Sequence, residues 1–161
     1  QYQKLSAAFG YGDYSVPRTA ISTFPDEILA QFRTRSFETA VGERNNTYRL
    51  ALNAEREFPA LAAKATSETA KWYAVLGSAP LREVMQTALG LPKSFSAIDI
   101  DQQVSVLKAR TEATFGSPDI GQFLDAKQLE ALTRRFILQA EIEGRTVASS
   151  PAATALQLLR R

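Results

Sequence analysis

The sequence has 161 residues, 45% apolar and 22% charged, with nineteen Lys and Arg against seventeen Asp and Glu for a formal net charge of +2. That mixture is too apolar for a disordered chain and too interrupted by charge for a membrane span, and at this length one hydrophobic core suffices. Neither histidine nor cysteine occurs, which removes Ser/His/Asp and Cys/His nucleophile pairs, thiol redox pairs and every imidazole or thiolate metal site.

In chain order, Tyr2 to Phe9 reads as a short helix closed by Gly10 and Gly12, followed by a loop through Pro17. The chain begins at Gln1, so an initiator methionine is expected to have been removed. Thr23 stands as an N-cap before Pro25, Asp26 and Glu27, and Ile28, Leu29 and Phe32 form the apolar stripe of the helix that follows. Ser36 is expected to cap a further turn holding Phe37, Ala40 and Val41, which Gly42 ends. From Arg44 to Phe58 the apolar residues Tyr48, Leu50, Ala51, Leu52, Ala54 and Phe58 cover more than half a helix circumference, predicting a central helix packed on two sides.

Pro59 is expected in the first turn of the next helix, which runs through Leu61, Trp72, Tyr73, Val75 and Leu76 to Gly77. Pro80 opens another, in which Leu81, Val84, Met85 and Ala88 recur at i, i+3, i+4 and i+7 before Gly90 and Pro92 stop it. Asp99 with Gln102, and Asp125 with Gln128, have the spacing of reciprocal helix caps. They predict one helix carrying Ile100, Val104 and Leu107 to Gly116, and another carrying Leu129, Leu132, Phe136 and Ala140 to Gly144, with a short turn of helix at Ser117 and Pro118 between them. After a small, polar stretch, Ala152, Ala155, Leu156 and Leu159 make one more stripe, too short to hold as a helix alone in water. No segment alternates with a two-residue period, so no significant sheet is expected. The sequence thus predicts an all-α fold: a compact orthogonal bundle of about seven or eight helices over residues 1–143, a linker at 144–151 and an amphipathic tail helix at 152–161.

The candidate chemistry is sparse. Asp99 and Asp101 are the closest aspartate pair, but both lie where a helix N-terminus favours negative charge, and no calcium-loop pattern surrounds them. Phe9 to Gly12 lacks the strand, the third glycine and the Lys-Ser/Thr pair of a phosphate loop. Lys64 and Lys71 show no sign of a desolvated nucleophile. Trp72 and Tyr73 point about 100° apart on a helix and cannot form one stacking platform. The basic pairs Arg33 and Arg35, Arg134 and Arg135, and Arg160 and Arg161 read as solvated helix faces or helix ends, not a phosphate-tracking stripe, so no nucleic-acid partner is expected.

Five strings carry a resemblance: Phe37 to Gly42 (FETAVG), Tyr48 to Asn53 (YRLALN), Trp72 to Pro92 (WYAVLGSAPLREVMQTALGLP), Phe95 to Val104 (FSAIDIDQQV) and Thr133 to Leu138 (TRRFIL), with Ala8 to Tyr11 (AFGY) extending it back. Together they resemble a bacterial family of unknown function encoded among flagellar genes, over nearly everything to about residue 142. The resemblance implies an all-helical fold and a role in flagellar assembly or motility. It brings no active site and no cofactor, and it assigns Arg49 and Arg82 to ion pairs, Gly90 and Pro92 to a helix stop and Asp99 to a cap.

The resulting expectation is a non-enzymatic structural or interaction protein, cytoplasmic or flagellum-associated, without catalytic, cofactor or metal residues and without membrane insertion. Its partner is a flagellar component or a second copy, and the candidate contact residues are Trp72, Leu156, Leu158 and Leu159. The alternative is a regulatory or small-ligand-binding helical domain with a pocket lined by Trp72 and Tyr73.

Overall fold

The computed structural model describes Ser6, Phe9, residues 18–21 and residues 23–148. All regular structure among them is helical: α1 (Phe24–Arg44), α2 (Asn46–Ala62), α3 (Glu68–Gly77), α4 (Ala79–Ala88), α5 (Ile100–Phe115) and α6 (Ala126–Ala148), with 3-10 turns at Arg18–Ala20, Lys93–Ala97 and Ile120–Leu124. Six α-helices therefore stand among the described residues, against the seven or eight expected. The helix at Tyr2 to Phe9 and the tail helix at 152–161 lie outside the described stretch, apart from Ser6 and Phe9.

Pro25, Asp26 and Glu27 start α1 as their chemistry requires, although the Thr23 hydroxyl makes no capping bond. The helix does not restart at Ser36 or end at Gly42. No proline interrupts the backbone there, and Thr34 and Thr39 turn their hydroxyls back onto the carbonyls of Ala30 and Arg35. The true stop is Asn45, which is extended at φ −153° and ψ 108° and accepts the N–H of Thr47 at 2.9 Å, so one residue ends α1 and caps α2. The two helices then fold back on each other: Arg56 grips both carboxylate oxygens of Glu38, at 3.0 and 3.1 Å across eighteen residues of chain. Gly42 lets them approach, since a Cβ there would collide with the stem of Arg49.

Helix α2 is central as expected, packing on α1, α4, α6 and the Ile120–Leu124 turn. Its buried face is Leu50, Ala51, Ala54, Phe58, Leu61 and Ala62, whereas Tyr48 is exposed. Pro59 lies inside this helix rather than opening the next. It forfeits one main-chain bond, but the last turn it permits buries Leu61 and Ala62 in the core. The following helix starts only at Ser67, whose hydroxyl accepts the N–H of Ala70 at 3.2 Å. Ser78 joins α3 to α4 through a single extended residue, with Pro80 in the first turn of α4.

Helix α4 ends in a Schellman motif: Gly90 takes φ +65°, its N–H reaches Thr87 O at 3.0 Å and the N–H of Leu91 reaches Gln86 O at 2.9 Å. From α6, Arg135 Nε donates to the carbonyl of Ala88 at 2.7 Å, capping the same helix end from outside. Asp99 caps α5 through the N–H of Asp101, Gly116 at φ +88° ends it, and Asp125 accepts the N–H of Lys127 at the start of α6. Gly144 does not close α6, which continues through it to Ala148; the expected linker therefore overlaps the helix, and residues 149–161 lie outside the described stretch. One core joins these elements, with Phe58, Trp72, Met85, Phe123, Leu132 and Phe136 at 2% exposure or less. No helix among the described residues is long and apolar enough to cross a membrane.

Candidate interaction surfaces

The ionisable groups that reach the interior work as clamps. Glu68 occupies the first turn of α3, where its Oε1 accepts from Lys71 Nζ at 2.7 Å and its Oε2 accepts the N–H of Ile120 at 2.8 Å. Lys71 is buried and also donates to the carbonyl of Ala62 at 2.9 Å. Three segments, the end of α2, the start of α3 and the Ile120–Leu124 turn, thus meet on one ion pair. Burial pushes the Glu68 carboxyl up, but the hydrogen bonds from Lys71 and the main chain of Ile120, together with the Lys71 charge, outweigh it and hold the group below the ordinary glutamate range. Lys71 therefore shows what the sequence did not signal: a buried ammonium committed to structure.

At the α1–α2 hairpin, Arg56 bonds Glu38 and also reaches Glu57. The Glu38 hydrogen bond, opposed by burial and helped by both carboxylate charges, raises the guanidinium further above its ordinary value. Arg49 and Arg82 do not form the expected ion pairs among the described residues. Arg49 bonds the Asn46 side-chain oxygen at 2.9 and 2.6 Å, and Arg82 bonds the carbonyl of Leu76 at 3.2 Å, because helix-end oxygens lie nearer to them than any carboxylate. Asp99 and Asp101 separate into distinct tasks: Asp99 caps α5, and Asp101 accepts the Tyr73 hydroxyl. That bond, with slight burial and the two aspartate charges, raises the Tyr73 phenol above its ordinary range.

Trp72 has no exposed surface, and its Nε1 donates to the carbonyl of Pro118 at 3.0 Å. It is a core anchor and offers nothing to a partner, which corrects its expected contact role. Nor do Trp72 and Tyr73 line a common pocket, since one faces the core and the other meets Asp101 at the surface. Leu156, Leu158 and Leu159 lie outside the described residues. A groove of about 770 Å³ lies elsewhere, between the start of α2, α4 and the C-terminal half of α6. Its floor includes the buried side chains of Leu50, Leu91 and Phe136, and its rim carries Arg82, Glu83 and Lys93.

Among the described residues, α1 leaves a group of large apolar side chains open. Only Phe24 and Glu38 of its twenty-one residues are buried, and it packs chiefly on α2 and the Arg18–Ala20 turn. Ile28, Leu29 and Phe32 are 41, 49 and 66% exposed. The stripe foreseen in the sequence is present, but it faces away from the core. Phe32 continues it into a shallow groove with Arg35, Ser36, Thr39, Ala40 and Glu43.

Residues 1–129 fit the model of a family described as "Protein of unknown function (DUF1217)". No curated protein and no solved structure matches the chain.

Proposed function

The chain belongs to the DUF1217 family of proteins of unknown function, and from that premise we propose that it is a non-enzymatic helical structural or interaction protein serving flagellar assembly or motility. The observation that carries the interaction reading is the outward face of α1, where Ile28, Leu29 and Phe32 stand open beside a core that has closed without them. Exposed large apolar side chains grouped on one helix mark contact surfaces more often than scattered ones do. The ionisable side chains support the same reading, since Glu38, Arg56, Glu68, Lys71, Asp99 and Asp101 are each bonded in helix junctions or caps. The flagellar setting rests on the resemblance of the FETAVG, YRLALN and ALGLP strings to a family encoded among flagellar genes, an argument from gene company.

The tail residues Leu156, Leu158 and Leu159 are a second contact candidate on the same reading. The small-ligand alternative moves from Trp72 and Tyr73 to the groove between α2, α4 and α6. The test is deletion of the gene in a flagellated strain that carries it. Swimming or filament number should fall and be restored by the natural gene but not by an Ile28→Ser/Phe32→Ser copy expressed at equal level. A deletion strain with normal flagella and normal swimming overturns the proposal.

A further inference from the structure

We propose that the exposed face of α1 is covered by the same face of a second copy, the two helices crossing antiparallel about Leu29 so that Asp26 of each copy meets Arg33 of the other. This deepens the interaction reading above and rests on it. At 100° per residue, Ile28, Phe32 and Leu29 span one sector of α1, and Asp26 and Arg33 fall on a single flank beside Leu29, two turns apart. All five residues are exposed. The two charges have opposite sign and sit on either side of Leu29 along the helix. Only an antiparallel twofold brings equal flanks together, so that arrangement, with Leu29 near the axis, sets Ile28 against the partner's Phe32 and forms the Asp26–Arg33 pair twice. A parallel pairing sets that flank against the opposite one and forms neither pair. Antiparallel helices also align their dipoles favourably.

Beyond Phe32 this face turns mostly polar, with Arg35, Ser36, Thr39 and Glu43 around Ala40, while Phe37 stands exposed at its edge. The contact therefore belongs to the small end of interface sizes, below about 1,200 Å², where association is weak and reversible.

The test is sedimentation velocity of the full chain from about 1 µM to about 1 mM, with circular dichroism melts confirming that each variant is folded. The natural chain should pass from monomer to dimer, and Phe32→Ser should raise Kd about tenfold or more. Asp26→Lys and Arg33→Glu should each weaken the dimer about three- to tenfold, while the double swap restores it to within about threefold of the natural value. A chain that stays monomeric throughout overturns the proposal. So does a dimer indifferent to Phe32→Ser, a double swap as weak as the single ones, or a dimer lost only when residues 149–161 are removed, which would assign the interface to the tail. The two readings fail separately: a monomeric chain whose Ile28→Ser/Phe32→Ser copy still fails to restore swimming removes the second copy but keeps the interaction role, whereas a dimer in a strain that swims normally without the gene does the reverse.

Discussion

Lys71 Nζ stands 2.7 Å from Glu68 Oε1 and 2.9 Å from the carbonyl of Ala62, so a single ammonium closes the junction of α2 and α3. Lys71→Met keeps the length of the stem but leaves a carboxylate and a carbonyl without their donor. It should cost about 2 to 3 kcal/mol, the range for losing hydrogen bonds to charged groups in a partly buried place. The Glu68→Gln/Lys71→Met double variant should cost about 1 kcal/mol less than the two single changes summed, because each single change already breaks the pair. Urea unfolding of the four proteins measures this, and strict additivity would show that the two side chains do not act as a unit.

The same pair sets a pH dependence. The folded carboxyl of Glu68 is held below the ordinary glutamate range. Its contribution is therefore present in full above the unfolded value of about 4.3 and is lost as the pH falls through the folded one. The natural chain should lose more urea stability than Glu68→Gln between about pH 5.5 and about pH 3, and the difference between the two should be flat above that window. Equal losses on acidification would detach Glu68 from the effect.

What the residues announced in advance was local backbone chemistry. Pro80, Gly90, Asp99 and Asp125 act where they were placed, though Gln102 and Gln128 do not return the expected bonds to the two aspartates, because a fixed φ, a left-handed φ and a short carboxylate at a helix start each depend on a few neighbouring atoms. Ser36, Gly42, Pro59 and Gly144 carry the same vocabulary and yet sit inside helices. At Gly42 the stem of Arg49 folds back into the space a Cβ would take, and at Pro59 the burial of Leu61 and Ala62 offsets the lost main-chain bond, neither of which the residue type itself announces. Glu38 and Arg56 lie eighteen residues apart and left no local trace of their pairing. On α1 the periodicity located an apolar stripe correctly but could not say which way it faces. The direction is set by α2, which packs against the side bearing Glu38 and Gly42 and leaves Phe32 outward.

Trp72 is the single tryptophan of the chain and is wholly buried. Trp72→Phe removes the Nε1 bond to Pro118 and part of the ring volume, and should destabilise the fold by about 2 to 4 kcal/mol through cavity and hydrogen-bond loss combined. Emission from the natural chain should be blue-shifted when folded and move to the red across the urea transition that circular dichroism reports. A red-shifted emission in the folded chain, or a Trp72→Phe variant of natural stability, would return Trp72 to the surface and reopen its role in contacts.

Two glycines make opposite predictions from one substitution. Gly90 holds φ +65° and a Cβ there would touch nothing within 4 Å, so Gly90→Ala meets only the cost of a left-handed backbone, about 1 to 2 kcal/mol. Gly144 also has open space around it, but it is an ordinary helical residue of α6 with no positive φ. There alanine removes backbone freedom from the unfolded chain without strain, and Gly144→Ala should stabilise by about 0.5 to 1 kcal/mol. Thermal melts of the two variants should therefore move in opposite directions from that of the natural chain. If Gly144 instead stopped the helix in a left-handed conformation, as its place before a small, polar stretch suggests from sequence alone, both variants would melt lower. The sign of the Gly144→Ala shift thus decides whether α6 runs on to Ala148 in solution, and with it where the tail bearing Leu156, Leu158 and Leu159 begins.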